Sequence, residues 1–326
     1  MIMKKNLCIS LFLLSTLMAF GQSLLMSSSS VTKDTGFVET PIVLQTKTGR
    51  IFGTLTTPRE FTKGPLVLII AGSGPTDRNC NSPMAICDAY KKLAHELAVN
   101  RIASVRYDKR AIGESAAAAK SESDLRFDDY VNDAKDWIQL LRHDKRFSQV
   151  DVIGHSEGSL IGMIAATGAD KYVSIAGPGQ SADKLLKEQL SQQPQAVQDM
   201  CFPIIDSLKK GNTVDNVSPM LASLFRASVQ PYMISWFKYD PQTEIQKLTI
   251  PILIIQGTKD IQVTVEDANR LSRANPKSQL VLIENMNHIF RTVVGDRDAN
   301  VATYNMASLP LADGLVHDIT GFVLAR

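Results

Sequence analysis

Apolar residues gather in short blocks along this chain, separated by stretches in which they recur at helical spacing. The blocks at 66–71, 102–106, 150–153, 171–175, 250–255 and 279–283 read as strands. Two earlier blocks, 38–46 and 51–57, read as a hairpin turning at Thr48-Gly49. Helical patterns fill 84–99, 124–142, 157–166 and 264–273, and 309–325 predicts a closing helix. Strands alternating with helices predict an α/β fold, with a mainly parallel eight-stranded sheet flanked by helices.

One segment breaks the rhythm. Between Gly177 and Leu248 no strand is predicted, only amphipathic stretches at 182–190, 195–210, 217–227 and 231–239. The pattern predicts a helical cap at 178–248, inserted into a core formed by 22–177 and 249–326. The cap is rich in large apolar side chains. Tyr232, Trp236 and Phe237 are the candidates to line a substrate pocket, while at least half of their neighbours are expected to be cap core.

The first residues have a different character. Lys4 and Lys5 precede an apolar stretch from Leu7 to Phe20, and Ala19-Phe20-Gly21 offers a small-x-small cleavage site. Residues 1–21 therefore read as a signal peptide. The apolar stretch is short for a membrane span, so export without stable membrane insertion is expected, to the periplasm or beyond the cell. The chain of 326 residues carries 35 Lys and Arg against 33 Asp and Glu. Losing Lys4 and Lys5 with the leader makes it formally neutral, which gives no reason to invoke nucleic acid or an anionic membrane as a partner. Hydrophobic residues at 44% are enough for a substantial core. Aromatic content of 6% disfavours a carbohydrate-binding module.

Against this background Gly154-His155-Ser156-Glu157-Gly158 stands out. It is a G-x-S-x-G sequence between a β-branched apolar run and a helical run. Strand, sharp turn and helix are the context of a nucleophile elbow, which lifts a serine hydroxyl clear of a sheet. The helix N-terminus that follows favours an oxyanion.

An acid and a base follow in the order such a site requires. Asp260 lies just past the block ending at Ile255, and His288 just past the block 279–283. Both fall on loops at the C-terminal edge of predicted parallel strands, where open α/β sheets carry their sites. Serine needs a neighbouring base to act as a nucleophile. An imidazole can take the proton and return it to the leaving group, the role read for His288, and Asp260 orients its ring. Asp260 also has a bland reading as a turn aspartate capping its own backbone. The other histidines read as structural or surface residues: His95 within a helix, His143 at a helix end, His155 inside the elbow and His317 in the last helical segment. An oxyanion hole needs two backbone donors. One is expected from Glu157, just after the nucleophile. The other is expected from Ser73 or Gly74 after the block 66–71, since Pro75 has no N–H. No cysteine–histidine spacing suggests a metal site, and no cofactor is implied.

With these residues in view, the chain resembles the α/β-hydrolase superfamily over roughly 38–325. More narrowly it resembles bacterial carboxylesterases and serine-aminopeptidase-like hydrolases. Besides the elbow, the resemblance rests on Gly72-Ser73-Gly74-Pro75-Thr76-Asp77-Arg78, a G-S-G-P-x-D-R sequence. It rests also on 106–115, which resembles a D-x-R-G-x-G-x-S loop. Ala111 stands where a glycine is usual, and Cys80 where glycine or aspartate is expected. The resemblance implies an α/β-hydrolase fold and a Ser156-His288-Asp260 triad acting through an acyl-enzyme on a small-molecule ester. Aminopeptidase or acyl-peptide hydrolase activity, glycan deacetylation, and a catalytically dead binding protein are the alternatives. Past the leader lie Cys80, Cys87 and Cys201. Cys80 and Cys87 are near enough in sequence to pair beside the oxyanion loop, an odd count leaves the pairing open, and Cys201 reads as a small core residue.

Overall fold

The computed structural model describes residues 36–325; the predicted leader, 1–21, lies outside them. The described strands of the main sheet are β1 (Phe37–Gln45), β2 (Arg50–Pro58), β3 (Gly64–Ile70), β4 (Ala103–Tyr107), β5 (Phe147–His155), β6 (Tyr172–Ile175), β7 (Ile252–Gly257) and β8 (Gln279–Ile283). Their order across the sheet is β1-β2-β4-β3-β5-β6-β7-β8, and β2 alone runs against its neighbours.

The central strands are apolar on both faces because helices cover both. In β3, Leu66, Leu68 and Ile70 face one core, while Val67, Ile69 and the following Ala71 face the other. The same alternation splits Ile252 and Ile254 from Leu253 and Ile255 in β7. Side chains two residues apart share a face, so a continuous apolar run serves two layers at once. On the second face lie α1 (Ala89–Val99) and α11 (Leu315–Leu324). On the first lie α2 (Phe127–Arg142) and α3 (Glu157–Ala165).

Between β6 and β7 come α4 (Ala182–Leu190), α5 (Gln195–Lys209), α6 (Ala222–Phe225), α7 (Gln230–Trp236) and α8 (Pro241–Gln246). Their apolar residues join the α2–α3 core: Leu186, Ile205, Phe225, Tyr232 and Trp236 belong to the same buried cluster as Leu66 and Trp137. α9 (Val265–Ala274) follows β7, and α10 (Arg297–Ala302) follows β8.

Helix starts differ from those expected. The segment predicted to be helical from 84 begins only at Ala89. Before it, Asn81–Ser82 pairs with Ala85–Ile86 in a small ribbon. The Asn81 side chain accepts from the N–H groups of Cys87 and Asp88 and donates to Asp88, which holds Asp88 at φ 52. The closing helix begins at Leu315 rather than 309, after Pro310 and Gly314. Cys80 and Cys87 are free, buried thiols in contact with each other, and the Cys87 thiol donates to the Cys80 carbonyl at 2.8 Å. Cys201 is fully buried.

Candidate active site

β5 ends at His155 and α3 starts at Glu157, so Ser156 alone makes the turn, at φ 55 and ψ −123. This is a strained conformation for a residue with a Cβ. It is possible because the chain is pared down around it. A Cβ at Gly154 would strike the backbone of Gly158, and one at Gly158 would strike the carbonyls of Ile70 and Ala71. Gly72 lies against the elbow from the other side, where a Cβ would come 3.1 Å from the Ser156 Cβ.

Asp260 and His288 meet directly, with His288 Nδ1 2.7 Å from Asp260 Oδ2. The other carboxylate oxygen accepts from the N–H groups of Gln262 and Val263 at 2.8 and 3.0 Å, and Gln256 Nε2 donates to Oδ2 at 3.2 Å. An acid so held cannot swing away. The carboxylate beside Nδ1 fixes the proton there and leaves Nε2 as the basic nitrogen. The two loops are tied to each other as well. Lys259 N–H donates to the Met286 carbonyl at 3.0 Å, and Asn285 N–H to Thr258 Oγ1 at 2.8 Å. Asn287 anchors the histidine loop, accepting from Ile289 and Arg291 and donating to Asn300 and Thr303. The Ser156 hydroxyl forms no hydrogen bond with a described residue. The neighbouring His155 has its ring centroid 4.6 Å from that of His288. Hydrogen bonds of this kind often tighten only once substrate is bound.

Sequence reasoning set His155 apart from the chemistry. The structure makes it the hub that joins three loops. Gly72 N–H donates to Tyr90 Oη at 3.0 Å, Tyr90 Oη lies 2.6 Å from His155 Nδ1, and His155 Nε2 lies 2.9 Å from the His288 carbonyl. A carbonyl can only accept, so Nε2 carries the proton and Nδ1 accepts from the tyrosine. Burial holds the imidazole well below its usual range, and the neighbouring His288 adds to this. His155 is therefore neutral, as that arrangement requires.

The expected oxyanion donors surround the elbow. The N–H groups of Ser73, Gly74 and Glu157 donate to no acceptor among the described residues. Their loop is braced by the second motif. Asp108 accepts from Arg78 N–H and from Arg78 Nη2, both at 2.8 Å, and from Glu114 N–H at 3.0 Å. A Cβ at Gly113 would fall 2.5 Å from Asp108 Oδ2. The two departures from the family pattern, Ala111 and Cys80, lie at φ 69 and 74, where glycine is the unstrained choice.

Beside Gly74 and Glu157 opens a cavity of about 440 Å³ with largely apolar walls. Ala111, Ile112, Leu125, Val229, Lys109, Tyr130 and Tyr232 are among the residues that line it. Of the three expected pocket residues only Tyr232 lines it. Trp236 and Phe237 are buried in the core, Trp236 stacking on Phe127 at 6.1 Å and 8°. An aromatic side chain in a cap serves either role, and here α2 presents Phe127 to claim it. The Tyr232 hydroxyl makes no hydrogen bond of good geometry; burial, and then the adjacent Glu157 carboxylate, push its ionisation well up. Among the described residues no helix is long and apolar enough to cross a membrane.

The sheet and its flanking helices agree with comparisons to solved structures. Est1E from Butyrivibrio proteoclasticus with bound ferulic acid superposes with a TM-score of 0.56 at 16% identity, over 80% of this chain and 94% of that one. The α/β hydrolase GrgF from Penicillium sp. sh18 gives 0.55 at 15% identity, over 77% and 91%. This is the α/β-hydrolase fold. A family model described as Hydrolase_4, serine aminopeptidase S33, matches residues 84–199 of this chain. Esterase EstD of Thermotoga maritima is 27% identical over 254 residues, which are 73% of this chain. The matched region spans 57% of the length of that relative.

Proposed function

We infer that the protein is a serine hydrolase of carboxylic esters, working through a Ser156 acyl-enzyme. The observation that carries this is the Asp260–His288 hydrogen bond at 2.7 Å, taken together with a strained serine at a helix N-terminus. Ser156 Oγ attacks the ester carbonyl while His288 Nε2 takes its proton. Charge gathers on the carbonyl oxygen, facing the N–H groups of Glu157 and of Ser73 or Gly74. The intermediate collapses, the alcohol leaves with the proton from His288, and water repeats the sequence to release the acid. The similarity to an esterase of Thermotoga maritima favours the same chemistry.

The cavity favours short to medium uncharged acyl groups, because its walls are largely apolar and both of its carboxylates are already engaged. Glu157 is paired with Lys109, and Glu122 with Arg226 and Ser228. That pairing also weighs against the aminopeptidase reading, despite the family model's description. A free substrate amine needs an unspent carboxylate, and Glu157, the candidate for it, is neutralised. Turnover of p-nitrophenyl acetate, butyrate and palmitate, compared with aminoacyl anilides and acetylated glycans, tests the assignment. Acetate or butyrate should dominate; a preference for the anilides or glycans would replace the esterase reading. Loss of fluorophosphonate labelling in Ser156→Ala separates an enzyme from a binding protein.

Export belongs to the same reading and rests on residues 1–21. A mature N-terminus near Gln22, read by mass spectrometry from a native host fraction, is the expected result. An intact N-terminus in the cytoplasmic fraction would refute it.

A further inference from the structure

Lys109 has no part in the triad, yet it is buried at the centre of the site. It leaves the end of β4 with its side chain 2% exposed. Its ammonium group donates to the Gly72 carbonyl at 2.5 Å, lies 3.2 Å from Glu157 Oε1, and sits 4.9 Å from the centre of the Tyr130 ring. Two of these partners belong to opposite walls of the oxyanion hole. Gly72 precedes Ser73 on the early loop, and Glu157 opens α3 after the nucleophile.

The first contact has a stereochemical consequence. The Gly72 carbonyl and the Ser73 N–H belong to one planar trans peptide, so they point in opposite directions. Drawing the carbonyl onto Lys109 turns the Ser73 N–H the other way. Tyr90 holds the N–H of Gly72 itself at 3.0 Å, so the peptides on both sides of the Gly72 α-carbon are fixed. Gly72 is in turn packed against Ser156. The second contact is electrostatic. Glu157 bears its carboxylate on the very residue whose N–H faces the developing oxyanion. Left alone, that charge would oppose the one forming on the substrate in a water-poor site.

We propose that Lys109 is a positioning residue for the reaction, clamping the two walls of the oxyanion hole against each other and cancelling the charge of Glu157. The role rests on the acyl-enzyme reading above. It gives the buried ion pair a catalytic purpose, where pairs of this kind are weak devices for stability alone. The lysine acts through the peptide it holds and does not touch the reacting atoms.

Lys109→Met and the double variant Lys109→Met/Glu157→Gln test it. The second removes both charges, so it avoids a lone buried carboxylate if the first fails to fold. Sites are counted by fluorophosphonate titration, so misfolded protein does not enter kcat. For an acetate or butyrate ester, Lys109→Met should lose about 10²-fold in kcat with KM changed less than about threefold, on the scale of losing an oxyanion donor. Affinity for an aryl trifluoromethyl ketone, which forms a tetrahedral oxyanion on the serine, should fall in step. The double variant should recover the electrostatic part and remain at least about tenfold below wild type in both readouts, because the Gly72 carbonyl stays unclamped. A lysine that only supports the fold would change the number of titrated sites and leave kcat per site alone. A loss smaller than tenfold in a folded variant, in either readout, overturns the clamp. Failure of the underlying reading looks different: wild-type enzyme would not be labelled at Ser156, or Ser156→Ala would keep its turnover.

Discussion

The loops at the C-terminal edge of the sheet and the cap helices pack against the same molecule by different means. Around Ser156 the contacts are directional and polar. Tyr90, His155, Lys109, Glu157, Asp108 and Asp260 are each held by named hydrogen bonds in largely buried surroundings. The helices between β6 and β7 are held mainly by aromatic and aliphatic packing, Phe127 against Trp236 and Tyr239, Tyr232 against Tyr130 and Phe225 fully buried, with the Arg226–Glu122 pair and the Phe127 N–H to Ser235 Oγ bond at the seam. Hydrogen bonds fix where an atom points, and apolar contacts fix mainly how much volume is filled. The edge is therefore built for position and the cap for bulk. Substitutions at the edge should damage rate, and substitutions in the cap should damage stability.

The largest expected effects lie at the edge. Ser156→Ala and His288→Ala should each abolish nearly all ester turnover, and Asp260→Asn should lose about 10⁴-fold in kcat. Thermal melting should change little for Ser156→Ala. Full activity in Asp260→Asn would move the acid elsewhere and break the comparison at its root. In the cap, Trp236→Ala should cost about 3–5 kcal/mol in denaturant unfolding while kcat of the folded fraction stays within a few fold. A large kcat loss with little destabilisation would instead return Trp236 to the pocket.

Asp151 sharpens the contrast, because it sits on β5 five residues before Ser156 without such care. It is fully buried, one carboxylate oxygen has no partner, and burial raises it to about 7. Between its unfolded value of 3.8 and about 7 the folded chain holds a proton that the unfolded chain releases. Stability contributed by this group is therefore present at low pH and lost as pH rises through that window. Asp151→Asn should stabilise the protein at pH 8 by on the order of 2 kcal/mol, with little gain at pH 4. Equal gains at both pH values would mean that the proton is not the cause.

The smallest effect concerns Ala111. At φ 69 it bears the left-handed strain that a glycine escapes. Ala111→Gly should raise stability by about 0.5–1 kcal/mol, read as a shift of the unfolding midpoint. A loss of stability would show that the loop tolerates alanine without strain.

The sheet was legible because its strands are unbroken apolar blocks that serve two cores. Ser156, Asp260 and His288 could be singled out because each follows such a block, so strand ends announced their place. Tyr90, His155 and Lys109 left no comparable mark. Their partners lie 18 to 133 residues away, and nothing in the spacing pairs a helix tyrosine with an elbow histidine. The start of α1 was misplaced because the Asn81 side chain, rather than apolar periodicity, organises the turn before it. Trp236 and Phe237 were assigned to the pocket because composition cannot say which face of a cap helix a neighbour will cover. Ala111 and Cys80 were visible as departures from a pattern, but the reason, a positive φ at each, belongs to the backbone.

The most direct measurement is the chemical identity of the acylated residue. Brief incubation with a p-nitrophenyl ester, acid quench and peptide mass spectrometry should place the acyl group on the peptide containing Ser156. The adduct should accumulate in Asp260→Asn and be missing in Ser156→Ala. Acylation of a different side chain, or steady turnover by Ser156→Ala at the wild-type rate, would contradict the assignment.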